Sequence, residues 1–414
     1  MTLGIGGKKP EAVLAALPNL MGDAVPIGLA EYRERVVQVQ TRMRAAGLAA
    51  IYLHPGSNFK YFTGTTWTPS ERLAGALIPV AGDLEYLAPA FEEGTLRDFR
   101  VVPGRVNTWQ EHESPYRLLL DRLAAMGCPP QARVGLCDAT PFYVFDQLRR
   151  LDPGRDFVSA QPVTGPGRMR KSPREIALIQ RAHRMTLAVE AATASILAEG
   201  MGTLEVAAFI HEAHQRVGST GSQFCIVLFG QATGFPHGVQ DPQRLKAGDM
   251  VIVDTGCPVH GYLSDITRSY VFGTPTERQR SIWNLERGAQ LAAFAAARLG
   301  AEAGAVDGAV RRFLEANGLG PGYALPGLPH RTGHGLGLDV HEDPYIVLGN
   351  ATRLDVGMCF SDEPMICVPG EFGVRLEDHI HMTEQGPAWF TRPSPSIDDP
   401  FGLGPDLPGE SPRD

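Results

Sequence analysis

Apolar and polar residues follow helix-like and strand-like spacings in turn along the first half of the chain. Residues 31–46 (EYRERVVQVQTRMRAA) have the spacing of an amphipathic helix, and residues 48–53 (LAAIYL) form an apolar run suited to a buried strand. Two further strands and a helix are predicted at residues 75–80, 84–87 and 115–126. This alternation predicts an α/β domain over residues 1–165.

A segment rich in proline, glycine and arginine, residues 161–171 (QPVTGPGRMRK), interrupts these patterns and predicts a break between two domains. A helix start follows at once: Ser172 is a preferred N-cap, Pro173 suits the first turn, and Glu175 completes a capping box. We expect this helix to extend to about residue 199. Three more helices are expected at residues 204–217, 277–299 and 306–316.

The second half also contains strand-like segments, namely DMVIVDTG (249–256), YLSDITRSYVF (262–272), MCFSDEPMICV (358–368) and GVRLEDHIHM (373–382). Such strands, together with the neighbouring helices, predict an antiparallel sheet that carries helices on one side. We therefore predict an α+β domain over residues 172–392. Residues 393–414 are rich in proline, aspartate and glycine, and they are expected to form a C-terminal tail.

Composition narrows the class of protein. The 414 residues are enough for two or three domains, each with its own core. A net charge of -8 without a basic block argues against a nucleic-acid or membrane-surface partner. Neither a secretory signal pattern nor an apolar run long enough to cross a bilayer is present. Six scattered cysteines without a CxxC pair are expected to be reduced, and the expected location is the cytoplasm.

Acidic residues interrupt several of the apolar strand segments. Asp254 ends the run 251–253 (VIV), where a carboxylate is costly unless it is paired or binds a metal. Asp265 lies on the returning strand, so a hairpin would let both carboxylates reach one ion. Glu363 precedes Pro364 at the end of another apolar strand. The alternative, that the two aspartates are turn or cap residues, stays open at this level.

Histidine and glycine residues accompany these acids. Strand alternation places Arg375, Glu377 and His379 on one face, which predicts either a solvated edge or a site. His334 lies in a glycine-rich loop (TGHGLGLDVHE), and glycines let the backbone approach a ligand closely. A lone histidine is more often a packing residue than a ligand. Two more histidines flank this loop, His330 and His341, and their presence favours a site.

Together these residues supply four carboxylates and one imidazole as possible ligands: Asp254, Asp265, His334, Glu363 and Glu377. This oxygen-rich set suits Mn²⁺, with Co²⁺ or Zn²⁺ as further candidates. Four carboxylates carry more charge than one divalent ion usually needs. We therefore expect two ions, roughly 3.5–4 Å apart, that hold a bridging hydroxide.

Four segments, in this order, resemble the pita-bread metallopeptidases and, among them, the prolidase and aminopeptidase P branch: VDTG…SDITRSY, HRTGHGLGLDVHE, DEP and RLED. The similarity is strong over residues 172–390 and weaker at residues 54–64 (HPGSNFKYFTG). It implies a C-terminal pita-bread domain that follows a smaller creatinase-like α/β domain. It also implies a homodimer in which the N-terminal domain of one subunit lies near the other's site, with Trp67 and Arg72 as candidate contacts.

The resemblance implies a role for each matching residue. The implied metal ligands are Asp254 for one ion, Asp265 and Glu377 as bridges, and His334 and Glu363 for the other ion. Glu363 is also the implied general base. His237, in FPHG, would contact substrate and assist proton movement, and His341 would stabilise the oxyanion. His330 and Arg375 would hold the proline end of the substrate, including a free carboxylate.

The third motif departs from the family pattern. A glycine and a tyrosine usually follow the Glu-Pro pair, and here Met365 and Cys367 stand in their places. Asp362 also occupies a position where an apolar residue is usual. Because no ligand is lost, this departure concerns the proton network, the metal preference and the substrate selectivity rather than metal binding.

The expected reaction is metal-dependent hydrolysis of Xaa-Pro dipeptides. The nitrogen of proline carries no hydrogen and its ring restricts φ, so ordinary peptidases often fail at this bond. Aminopeptidase P, which removes the first residue from longer Xaa-Pro peptides, is the alternative and uses the same residues. A creatinase-like hydrolase without metals and a non-catalytic binding protein are disfavoured because all five ligands are present. A relative that cleaves a sulfonium substrate stays open because of the altered third motif.

Overall fold

The computed structural model describes residues 2–404, which divide into two compact units. One unit contains residues 27–168, and the other combines residues 2–26 with residues 169–404. The expected domain over residues 1–165 differs at its start, because the first helix, α1 (Pro10–Ala16), belongs to the second unit. Backbone hydrogen bonds tie this segment there, from Gly6 N to Ala194 O at 2.8 Å and from Lys8 N to Ser195 O at 3.0 Å.

The unit of residues 27–168 is a mixed sheet with helices. Its helices are α2 (Leu29–Ala46), α3 (Ser57–Thr63), α4 (Glu93–Phe99), α5 (Pro115–Ala125), α6 (Phe142–Leu151) and α7 (Gln161–Met169). Its strands are β1 (Leu48–Leu53), β2 (Gly75–Pro79), β3 (Glu85–Pro89), β4 (Arg105–Trp109), β5 (Arg133–Leu136) and β6 (Phe157–Ser159). They form one six-stranded sheet in the order β4-β3-β2-β1-β5-β6, with parallel and antiparallel pairs. The α/β character predicted for this part of the chain is confirmed.

One helix in this unit was not predicted. Residues 161–169, within the break expected from the sequence, form α7 with Pro166 inside it. Contacts from distant residues explain the helix: Val163 is buried, Arg42 Nε donates to Val163 O at 2.7 Å, and the Tyr61 hydroxyl donates to Gly167 O at 2.8 Å. Such tertiary contacts outweigh the weak local helix preference of proline and glycine.

The second unit contains the remaining elements. Its further helices are α8 (Pro173–Ile196), α9 (Thr203–Arg216), α10 (Glu277–Ala296) and α11 (Ala303–Ala316). Its strands are β7 (Phe224–Phe229), β8 (Met250–Gly256), β9 (Pro258–Val259), β10 (Tyr262–Leu263), β11 (Ile266–Val271), β12 (Gly333–Gly335), β13 (Glu342–Ile346), β14 (Cys359–Asp362), β15 (Met365–Val368), β16 (Phe372–Arg375), β17 (Asp378–Thr383) and β18 (Gly386–Trp389). These strands pair antiparallel throughout, so the predicted α+β class is confirmed.

Helix α8 begins where its capping box predicts. Glu175 N donates to Ser172 Oγ at 3.2 Å, and Ser172 N donates to Glu175 Oε2 at 2.8 Å. The helix ends at Ile196, slightly earlier than expected. The core of this unit gathers buried residues from α10, α11 and the sheets, including Trp283, Val306 and Ile366. This packing fixes the strands that carry the acidic residues.

Four sheets make up this unit: β11-β8-β7, β13-β12-β14-β17-β18, and the pairs β9-β10 and β15-β16. The predicted long strands at 262–272, 358–368 and 373–382 are each split in two. Each break moves the chain from one sheet to another, and an acidic residue lies at each break: Asp265, Glu363 and Glu377. Pro364, which has no N–H to donate, helps to end the second segment.

Two of these sheets are joined through a buried ion pair. Arg268, on β11, donates to Asp378 Oδ1 at 2.7 Å and to Glu377 O at 2.8 Å. Thr267 and Glu377 also form an isolated β-bridge, with Glu377 N donating to Thr267 O at 3.1 Å. These bonds fix the position of Glu377 relative to β8 and β11.

The described part of the C-terminal tail, residues 393–404, packs on the second unit. Ser394 and Ile397 are buried, the ring of Phe401 lies 5.7 Å from that of Tyr270, and Leu3 N donates to Asp398 O at 2.7 Å. The rest of the expected tail, residues 405–414, lies outside the described residues. Among the described helices, none combines the length and the apolar character that a membrane crossing requires.

Candidate metal centre and substrate pocket

Asp254 and Asp265 come from neighbouring strands, as the hairpin prediction required. Asp254 lies in the central strand β8, opposite Thr267 of β11, and Asp265 immediately precedes β11. Both residues are buried, with 7% and 4% of their surfaces exposed. A charged carboxylate is stable at such positions only with a partner of opposite charge.

His334 and Glu363 lie on the next sheet. His334 occupies strand β12 rather than the loop expected from its glycines. A side chain at Gly333 would overlap Ser361 O, and one at Gly335 would overlap Asp343 O, so these glycines let the strands approach closely. His334 Nε2 lies 2.9 Å from Glu363 Oε1 and 3.7 Å from Asp265 Oδ2.

Glu377 completes the group. Its Oε2 accepts a hydrogen bond from the Thr267 hydroxyl at 2.6 Å, and that hydroxyl accepts one from Arg375 Nε at 3.0 Å. Arg375 also donates to the Asp254 carboxylate. The shared face predicted for Arg375, Glu377 and His379 is consistent with this arrangement, because all three are buried beside the aspartates.

Several of these side chains are close enough to hold an ion. Potential ligand atoms lie within 4.8 Å of one another in three overlapping groups: Asp265, His334 and His341; Asp265, Glu377 and His379; and His334, Glu363 and Glu377. Asp265, His334 and Glu377 each belong to two groups, so the three groups join into one cluster. Asp254 lies outside these three groups.

Burial and mutual repulsion shift the pKa values of the carboxylates. Burial raises the pKa of Asp265 and Glu377 well above the usual range, and neighbouring carboxylates raise it further. Burial also raises the pKa of Asp254, although Arg375 opposes the shift. At Glu363 burial acts in the same direction, but His334, His330 and Arg375 together outweigh it and the pKa is lowered. Ionised carboxylates in such a cluster need a nearby cation.

Three features of the cluster fit divalent ions. His334 Nδ1 donates to Gly335 O at 3.0 Å, and this tautomer leaves the Nε2 lone pair free for a metal. The buried oxygens Asp254 Oδ1 and Glu377 Oε1 accept no hydrogen bond from any described residue. The donor set is rich in hard oxygen atoms, which Mn²⁺ prefers over softer ligands.

A cavity of about 570 Å³ opens beside this cluster. His334 and Glu363 line it together with His237, His330 and His341. Its apolar wall is formed by Phe235, Pro236 and Pro329. The size falls in the range of about 300–1,000 Å³ that is typical of small-molecule sites. The structure therefore brings the histidines singled out in the sequence to one pocket beside the acidic cluster.

Arg375 has other partners than the sequence suggested. The resemblance implied that it meets a substrate carboxylate, but its guanidinium is occupied by protein groups. Besides Asp254 and Thr267, it donates to Pro236 O at 3.0 Å and contacts Met365 Sδ at 3.7 Å. Arg375 thus offsets the charge of Asp254 and holds that carboxylate in place.

The two unusual residues of the third motif are buried in β15. Met365 lies against Arg375, which explains how a larger side chain is accommodated where a glycine is usual. Burial raises the pKa of Cys367 to about 12, so its thiol stays protonated at neutral pH. Asp362 is also buried, and burial raises its pKa well above the usual range. Cys367 is therefore an inert thiol.

Two residues beside the site were given no role from the sequence. Thr267 hydrogen-bonds both Glu377 and Arg375. Arg331, which follows His330 in the chain and precedes β12, lines the cavity. Both lie inside the motifs SDITRSY and HRTGHGLG, next to residues that were singled out. A polar side chain inside each motif is the feature of the sequence that could have pointed to these two residues.

Comparison with known proteins agrees with this geometry. A model of metallopeptidase family M24 matches residues 177–384, and one of the creatinase/prolidase N-terminal domain matches residues 35–170. The putative dipeptidase YkvY of Bacillus subtilis is 33% identical over 360 residues, which cover 86% of this chain and 97% of the relative.

Solved structures give the same result. Dipeptidase PepE from Mycobacterium ulcerans has a TM-score of 0.82 and 33% identity, covering 89% of this chain and 98% of that chain. A prolidase from Thermococcus sibiricus has a TM-score of 0.80 and 30% identity, covering 87% and 97%. The M24 match contains all five positions that the sequence predicts as metal ligands. The chain therefore belongs to metallopeptidase family M24.

Proposed function

We propose that this metallopeptidase is a prolidase, which hydrolyses Xaa-Pro dipeptides with two divalent ions, preferably Mn²⁺. One observation carries the proposal: His334 and Glu363 belong both to the acidic ligand cluster and to the wall of a cavity that three further histidines line. The names of similar proteins, two dipeptidases and a prolidase, support the substrate class.

The residues that would hold the ions are Asp254, Asp265, His334, Glu363 and Glu377. When bound, the ions polarise the scissile carbonyl and lower the pKa of a water molecule. Glu363 acts as the general base that accepts a proton at its carboxylate. The Ser361 hydroxyl donates to Glu363 Oε1 at 3.0 Å and so orients that group.

The histidines and the apolar wall of the cavity bind the substrate and assist its hydrolysis. His341, whose ring centre lies 4.0 Å from that of His334, stabilises negative charge on the carbonyl oxygen. His237, exposed at the rim of the cavity, contacts substrate and moves a proton toward the leaving prolyl nitrogen. Phe235, Pro236 and Pro329 offer the apolar surface that a proline ring needs.

The homodimer and the cytoplasmic location belong to the same proposal. All six cysteines are free thiols, which suits a reducing compartment. Trp67 and Arg72 are the proposed dimer contacts. Arg72 is half-buried and pairs with Glu111 at 3.1 Å, and Trp67 packs edge to face on Phe99 at 6.2 Å between ring centres.

The substrate class is tested by comparing kcat/KM for Ala-Pro, Ala-Leu and Ala-Pro-Ala with the metal-loaded protein. We expect Ala-Pro to exceed the other two by roughly 10-fold or more, because the pocket selects both the ring and the short length. If Ala-Pro-Ala were much the best substrate, the enzyme would be an aminopeptidase P. If Ala-Leu matched Ala-Pro, the selectivity for proline would be disproved.

Replacing Thr267 by valine should weaken Mn²⁺ binding by roughly 10- to 100-fold. Valine has nearly the same shape as threonine but cannot hydrogen-bond to Glu377 Oε2 or Arg375 Nε, so neither group is oriented. Calorimetric titration with Mn²⁺ measures the effect. Thr267→Ser, which keeps the hydroxyl, is the control and should bind Mn²⁺ nearly as the unmodified chain does. Equal affinity of the valine variant would contradict the orienting role.

A further inference from the structure

We propose that Arg331 binds the C-terminal carboxylate of a dipeptide substrate and thereby makes the pocket selective for dipeptides. This inference rests on the proposed function and assigns the carboxylate contact to a residue of this chain. Among the described residues that line the cavity, Arg331 and Arg375 are the two with a permanent positive charge. The question is which of them is free to meet a substrate.

Arg375 is not free, because its guanidinium is used within the protein. It donates from Nε to Thr267, from one terminal nitrogen to Asp254 and from the other to Pro236 O. Moving it to a substrate would leave the buried carboxylate of Asp254 without its cation, and such a loss is costly.

His330 is also a poor partner for a carboxylate. Its Nδ1 lies 2.6 Å from Arg331 O, and a carbonyl oxygen can only accept, so Nδ1 carries the proton. Burial lowers the pKa of this ring and favours the neutral form. The other nitrogen, Nε2, then presents a lone pair, and a lone pair repels a carboxylate oxygen.

Arg331, in contrast to Arg375 and His330, has N–H donors that no described residue occupies. Its guanidinium forms no hydrogen bond or ion pair with any residue between 2 and 404, although it is half-buried. It lies over the ring of Tyr345, with the guanidinium carbon 4.4 Å from the ring centre. This contact steadies the side chain without giving its N–H groups an oxygen acceptor. A planar fork of free donors matches a carboxylate with two parallel hydrogen bonds.

The backbone that carries Arg331 is held firmly on both sides. Arg311 donates to His330 O at 2.6 Å, and Thr332 N donates to Asp307 Oδ1 at 2.9 Å. Arg311 and Asp307 are themselves a buried ion pair at 2.8 Å. The backbone of Arg331 is therefore held in a fixed position, shortly before His334 in the chain. A residue that selects substrates needs such rigid support.

The length of a dipeptide fits this arrangement. Its terminal carboxylate follows the scissile carbonyl by one residue, about 3.3–3.6 Å along an extended chain. A carboxylate anchor must therefore share one cavity with the reacting groups, and Arg331 and Glu363 line the same cavity. Glu363 is also the single acidic residue in that lining, so the proposed anchor has no competing carboxylate beyond the metal cluster.

The experiment compares Ala-Pro with its C-terminal amide, Ala-prolinamide, on the metal-loaded protein. For Arg331→Gln we expect KM for Ala-Pro to rise by roughly 10- to 100-fold, with kcat and the amide reaction changed little. Arg331→Lys should recover part of the loss, because it keeps the charge but not the fork. Arg184→Gln, which removes an exposed arginine of helix α8 outside the cavity, is the matched control and should leave both reactions unchanged.

Outcomes for the two proposals are distinguishable. If Arg331→Gln keeps the unmodified preference for Ala-Pro over the amide, Arg331 is not the anchor, even though the enzyme is a prolidase. If the unmodified protein cleaves Ala-Leu but not Ala-Pro, the prolidase proposal fails, and Ala-Leu with its amide then tests Arg331 in the same way. Calorimetry on metal-free protein provides a readout without turnover: weaker binding of Ala-Pro, but not of the amide, is expected for Arg331→Gln. Equal binding of Ala-Pro by both proteins would overturn the inference.

Discussion

Replacing Glu363 by alanine is expected to lower kcat for Ala-Pro by roughly 10³-fold, within the range that general acid–base groups contribute. Glu363 lies 2.9 Å from His334 Nε2 and lines the substrate cavity. It is thus the ligand best placed to exchange a proton with a reacting group. Its lowered pKa keeps Glu363 ionised at neutral pH. The loss is measured as kcat for Ala-Pro in a discontinuous assay of metal-saturated protein.

Glu371→Ala is the matched control for this change. Glu371 is exposed on the turn between β15 and β16 and pairs with Arg278 at 3.1 Å, so its loss should not alter kcat. Metal content of both variants must be measured alongside, because Glu363 is also a proposed ligand. A Glu363→Ala protein that binds both ions and hydrolyses Ala-Pro at the unmodified rate would disprove the proposed base.

Removing the ions with a chelator is expected to abolish hydrolysis altogether, and added Mn²⁺ should restore it. The buried carboxylates repel one another, and burial together with that repulsion raises the pKa of Asp265 and Glu377. Bound cations relieve this repulsion, so Mn²⁺ should also raise Tm. A concentration of 100 times Kd corresponds to about 2.7 kcal/mol of added stability.

Restoration ion by ion tests the metal preference. Mn²⁺, Co²⁺ and Zn²⁺ are added singly to chelated protein, and activity and Tm are followed together. A Tm that rises with an ion while activity does not would separate binding from catalysis for that ion. If activity survives chelation and elemental analysis finds no bound metal, the two-metal proposal is disproved. A creatinase-like hydrolase would then be favoured.

Local patterns in the sequence predict much of the second unit. The capping box of Ser172 and Glu175 depends on neighbours within one turn, and the structure has it at the expected residues. The hairpin that pairs β8 with β11 follows from two apolar runs with a short connection. Motif order predicted that five residues form one site, and the structure brings four of them, Asp265, His334, Glu363 and Glu377, into overlapping groups of potential ligands.

Features that depend on distant residues could not be predicted. Acidic residues interrupt these strand segments in the sequence, but nothing local shows that the chain passes from one sheet to another at Asp265, Glu363 and Glu377. Helix α7 depends on contacts from Arg42 and Tyr61, more than a hundred residues earlier in the chain. An apolar segment that looks like one strand, or a segment rich in proline, can therefore take a different structure once distant parts of the chain pack against it.

The bond between Arg375 and Asp254 limits how this site can change. Histidine at position 254, which a softer metal would favour, leaves the buried guanidinium of Arg375 without the carboxylate that it pairs with. Breaking a buried ion pair from one side costs roughly 3–5 kcal/mol, a large share of the stability of a typical domain. Redesign for another metal therefore has to alter the ligand and its arginine together. Natural drift meets the same barrier, since either single substitution passes through a destabilised protein.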